Sequence, residues 1–69
     1  MELRDLLNIL KCDSIVLLRT GAFEFYQGKV IDACEGGIND GDLEAEVRSV
    51  TPRHFKAWGS DGLEIDIQD

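Results

Sequence analysis

Leu3, Leu6, Leu7 and Leu10 fall at i, i+3, i+4 and i+7, the spacing of one helical face. The pattern predicts an amphipathic helix over about Glu2–Lys11, with Arg4, Asp5, Asn8 and Lys11 on its wet side. The period then changes. Ile15-Val16-Leu17-Leu18 is an unbroken apolar run, and Phe23, Phe25 and Tyr26 follow across a Thr20-Gly21 turn. Two strands, about Ser14–Arg19 and Ala22–Ile31, are predicted as a hairpin. A two-residue turn at Thr20-Gly21 pairs Leu18 with Phe23 and Val16 with Phe25. That register puts Ile15, Leu17 and Tyr26 together on the other face. Val30 falls out of step with Phe23 and Phe25, which suggests a bulge at Gln27-Gly28.

Asp32–Asp42 is rich in turn residues, with Gly36-Gly37 and Asn39-Asp40-Gly41-Asp42, and reads as irregular structure or one helical turn. Ala33, Cys34 and Ile38 are its candidate anchors. Leu43, Ala45 and Val47 alternate with Glu44, Glu46 and Arg48, predicting a strand over Leu43–Thr51 that ends at Pro52, with a second bulge where Val50 breaks the alternation. Phe55 and Ala57, then Leu63, Ile65 and Ile67, suggest a closing hairpin about Ser60-Asp61-Gly62. That turn sets Ala57 against Ile65, Phe55 against Ile67 and Lys56 against Asp66. The expected fold class is α+β: a single domain over residues 1–69, with the N-terminal helix packed on a small twisted, mostly antiparallel sheet of about five strands.

One helix shields one side of a ribbon. The first hairpin is apolar on both, so its second side must curl inward, be roofed by a loop or meet a partner. Ile15, Leu17 and Tyr26 are therefore a candidate protein-binding or self-association surface, since contiguous apolar patches on small soluble domains mark interaction sites.

Composition narrows the chemistry. The chain has 69 residues, of which 43% are hydrophobic and 30% charged, and a formal charge of −7. A domain this small and acidic repels nucleic-acid backbones in general. The one basic cluster, Arg48, Arg53 and Lys56 with His54 and Trp58 beside it, is the candidate nucleic-acid patch, with carboxylates expected alongside it. Cys12 and Cys34 share no metal-ligand spacing. A Cys34–His54 dyad oriented by Asp32 or Asp66 is the one thiol-enzyme arrangement available, and nothing in the spacing selects it. Asn39-Asp40-Gly41-Asp42 resembles a calcium loop only superficially, because aligning Gly41 puts Gly36 and Val47 in ligand positions. No catalytic residue, cofactor or metal site is expected. The apolar runs are too short to span a membrane and no signal peptide is visible, so the expected compartment is the cytoplasm.

Leu3-Arg4-Asp5-Leu6-Leu7, Ile15-Val16-Leu17, Phe25-Tyr26-Gln27-Gly28-Lys29-Val30 and Glu46-Val47-Arg48-Ser49-Val50 occur in a familiar order. In this the chain resembles small uncharacterised proteins encoded by phages and prophages of Gram-positive bacteria. The resemblance implies a helix-plus-sheet fold and a cytoplasmic accessory role, and carries over no functional residue. The chain departs from that pattern in its longer glycine-rich connection at 36–41 and in Phe23 and Phe25. The expected function is that of a small acidic, non-enzymatic accessory protein acting by protein–protein interaction; the alternative is nucleic-acid-associated binding through Arg48, Arg53, Lys56 and Trp58.

Overall fold

The computed structural model describes residues 1–68. Helix α1 (Leu3–Ile9) leads into strands β1 (Ile15–Thr20) and β2 (Phe23–Lys29). A helical turn α2 (Val30–Asp32), a wide π-type turn (Ala33–Gly37) and a short helix α3 (Asp40–Leu43) form the connection. Strands β3 (Val47–Phe55) and β4 (Ser60–Ile67) close the chain. The strand order is β2-β1-β4-β3. Both hairpins are antiparallel, and β1 and β4 meet in parallel at the centre.

The fold class is α+β, with a mixed sheet of four strands where about five, mostly antiparallel, were expected. The third and fourth expected strands are one strand, β3, running straight through Pro52. Proline lacks an N–H and is confined to edge strands or bulges. Here β3 is the outermost strand, so the missing donor breaks no second ladder.

Both turns also differ from the sequence pattern. The first hairpin turns at Gly21-Ala22 and pairs Thr20 with Phe23. Gly21 takes φ +60 and Ala22 stays negative, as in a type II′ turn with glycine at its first central position. The bulge lies at Phe25, which has no partner between Leu18↔Tyr26 and Arg19↔Glu24, not at Gln27-Gly28. The second hairpin turns through Lys56–Gly59, with Gly59 at φ +63. Phe55 therefore faces Ser60, and Val50 faces Ile65. Gly62, expected in the turn, lies inside β4. A second bulge falls at Arg48, between Val47 and Ser49.

Helix α1 has seven residues, too few to persist alone. Its buried Leu3, Leu6 and Leu7 hold it to the sheet, each burial contributing about 1.5–3 kcal/mol. They pack with Val16, Leu18, Ile65 and Ile67 from the central strands and with Val30, Ala33 and Ile38 from the connection. The connection is thus the second element roofing this face. Of its expected anchors, Ala33 and Ile38 are buried and Cys34 is exposed.

Candidate interaction surface

On the side of the sheet away from α1, Ile15 and Leu17 form a small separate core with Phe55. Ile15 is 3% and Leu17 2% exposed. The expected docking surface at these two residues is therefore not a surface: the ring of Phe55 covers it within the chain. Tyr26 is not on that face either. Its pairing with Leu18 turns it toward α1, where it packs against the main core.

The tyrosine ring is a strut for the connection. Its hydroxyl donates to the Lys29 carbonyl at 2.7 Å. The ring runs past two glycines. A β-carbon at residue 28 would lie 2.9 Å from Tyr26 Oη, and one at residue 37 would lie 3.1 Å from Cε1. Burial, and then the nearby Asp32 and Cys34, raise the phenol above its ordinary pKa.

Glu64 joins both flanks of the second face. It accepts from Arg19 Nη1 at 3.0 Å and from Arg53 Nη1 at 2.6 Å. The Arg53 guanidinium also lies over the Phe55 ring, 5.6 Å from its centroid, within cation–π range. Arg53 is therefore held over the Phe55 ring by its bond to Glu64.

The expected basic cluster is not brought together. Arg48 sits at the bulge near the start of β3, while Lys56 and Trp58 lie in the loop beyond its end. Eight residues of extended chain separate Arg48 from Lys56 by roughly 25 Å. His54 Nδ1 meets Asp61 Oδ1 at 2.8 Å. Among the described residues, Arg48 and Lys56 make no ion pair. Trp58 is 44% exposed.

Cys34 and His54 do not form the dyad. Cys34 lines an open depression of about 200 Å³ with Arg4, Asn8 and Leu43. His54 lines another of about 300 Å³ with Pro52, Arg53, Asp61 and Gly62. The calcium-like stretch acts locally. Asn39 Oδ1 accepts from the Asp42 amide at 2.8 Å and caps α3, as asparagine does at helix starts.

β3 and β2 are the two edge strands of the sheet, and β3 has the longer exposed run. Every residue from Arg48 to His54 is exposed. The N-terminal segment already pairs with the start of this edge. Glu46 C=O accepts from Gln68 N, and the N–H of the same peptide unit, on Val47, donates to Met1 O at 2.8 Å. The two groups of one peptide unit point opposite ways, so Met1 lies on the outer side. Leu3 N donates to Ala45 O, and Glu2 and Glu46 form an antiparallel bridge. Beyond Val47 the edge is open among the described residues. Sequence reasoning missed this surface because it divided β3 at Pro52.

No family model, no curated protein and no solved structure matches this chain. Among the described residues, no helix is long and apolar enough to cross a membrane.

Proposed function

We propose that this chain is a small acidic binding domain, without catalytic activity of its own, that acts by attaching to another protein. The observation that carries this reading is the open edge of β3, exposed from Arg48 to His54 and already extended at its start by Met1–Leu3. An exposed strand edge is a template for an added strand: backbone hydrogen bonds supply affinity and alternate side chains supply selectivity. Exposed Val50 and Trp58 add apolar contact beside the edge.

The nucleic-acid alternative has less support. Glu64 engages Arg53, Asp61 engages His54, and the remaining cations stand at opposite ends of a strand. The thiol-enzyme alternative needs His54 beside Cys34, and the two line separate depressions. We place the protein in the cytoplasm, where its two unbridged thiols suit a reducing compartment. The resemblance to small phage-encoded proteins, which rests on sequence alone, fits an accessory role.

Panning the folded domain against a library of random peptides tests the reading. The expected outcome is an enriched set whose binding is lost in Val50→Pro, which removes a backbone donor on β3, and kept in Phe23→Ser at the distant hairpin tip. Enrichment of no peptide, or of peptides indifferent to Val50→Pro, overturns it.

A further inference from the structure

The charges of this chain are segregated in a way its net charge hides. Residues 30–47 hold six carboxylates and no lysine or arginine; residues 47–58 hold Arg48, Arg53 and Lys56 and no carboxylate. A basic strand in a protein of charge −7 is the exception to its composition, and it is one of the two edge strands of the sheet, β2 being the other. Glu64 occupies Arg53 from within the sheet. Arg48 and Lys56 remain, one at each end of the open segment, with no ion pair among the described residues.

We propose that the β3 edge from Arg48 to Phe55 takes an extended peptide segment of a partner protein, carrying an acidic residue near each end and uncharged residues between. This rests on the protein-binding reading above and names the chemistry of the partner at that same site. Pro52 has no N–H, so the ladder to β4 runs through its neighbours Thr51 and Arg53, opposite Glu64 and Gly62. Antiparallel pairs alternate, which turns the N–H and C=O groups of Val50 and His54 to the open side. A guest strand finds these backbone groups in the middle and a cation at each end, roughly 25 Å apart. The uncharged centre of the guest suits Val50 and Pro52, which carry no charge, and Arg53 and His54, which already have acidic partners.

The same charges argue against a second copy of this chain. Two β3 edges paired antiparallel about Pro52 place Arg48 opposite Lys56 at both ends. Like charges directly opposed across strands are destabilising. The Arg48 bulge and Pro52 also interrupt the edge, as edges guarded against self-pairing are interrupted.

A nine-residue synthetic peptide of alternating threonine and valine with glutamate at both ends is the probe, followed by amide NMR at low salt. A lysine-ended version and an oligothymidylate of matched charge are the comparisons. The expected result is shifts confined to residues 48–56, and slowed hydrogen exchange at the Val50 and His54 amides. The glutamate peptide should be preferred over the lysine peptide, and the preference should fall by roughly tenfold in the double variant R48E/K56E, whose two sites are exposed. Equal binding of both peptides, shifts elsewhere, or stronger displacement of the same amides by the oligonucleotide overturns the proposal. If panned peptides bind the β3 edge but are not acidic, this inference fails while the protein-binding reading stands; if no peptide binds at all, both fail.

Discussion

The ring of Phe55 passes directly over Gly62. A β-carbon on residue 62 would lie 2.8 Å from Phe55 Cε2 and would collide with the Ile15 carbonyl oxygen of the neighbouring strand. The glycine is the gap through which a phenylalanine on the outermost strand, β3, reaches Ile15 and Leu17 on β1, across β4. Gly62→Ala should therefore destabilise the fold by about 2 kcal/mol or more, since overpacking alone costs about 1–3 kcal/mol. Urea unfolding followed by Trp58 fluorescence measures this. An unchanged midpoint would mean that the ring does not lie over Gly62.

Removing the cover should be worse. Phe→Ala in a core costs about 3–5 kcal/mol, comparable to the entire stability a domain of this size commands. Phe55→Ala is expected to unfold at room temperature or to bind a hydrophobic dye strongly. Phe55→Leu should be milder and still folded. Leu17→Asp, at a position 2% exposed, should likewise abolish folding, because it buries a carboxylate without a partner. A Leu17→Asp protein of normal stability would make that face a candidate interaction surface again.

Tyr26 makes stability fall at alkaline pH. Its phenol is raised above the ordinary 10.0, first by burial and then by Asp32 and Cys34. The folded state thus holds the proton more tightly than the unfolded chain does. Its contribution is fully present below pH 10 and is lost as pH rises through the higher folded value. Tyr26→Phe should remove that part of the alkaline slope, and it should cost about 0.5–1.5 kcal/mol at neutral pH through the lost bond to the Lys29 carbonyl. Unfolding midpoints across pH 8–11 for the two proteins provide the comparison.

Glu64 serves two arginines from a carboxylate that is 22% exposed. Exposed ion pairs contribute about 0–1 kcal/mol. Glu64→Gln should therefore lower stability by about 1 kcal/mol, and the loss should shrink at high salt. A double-mutant cycle of Glu64→Gln with Arg53→Gln isolates the pair, and a coupling of zero would mean that the pair contributes nothing.

The leucine helix, the first hairpin with its glycine turn and the Asn39–Asp42 turn chemistry were legible because each is decided by neighbours a few residues apart. The helix still ended early. Leu10 is already extended and bonds its amide to Leu7 O, because the chain must turn to enter β1. The hairpin registers were not legible. Glycine suits either central turn position, although threonine is a poor first residue for a Thr20-Gly21 turn, and the choice shifts every partner of Leu17 and Leu18. Gly62 reads as a turn glycine in sequence, whereas the structure uses its missing side chain as clearance for Phe55.

Local patterning by itself determined the α+β class, the acidic charge and the shortage of cover over an oily hairpin. Periodicity and composition act within a few residues, and these properties follow from them. Tertiary structure decided how the shortage was met. Parallel pairing of β1 with β4 brings the end of β3 within reach of Ile15 and Leu17, 38 or more residues away along the chain. The same pairing leaves β3, like β2, at an outer edge of the sheet. No window of neighbouring residues contains that information, because it depends on which strand docks beside which.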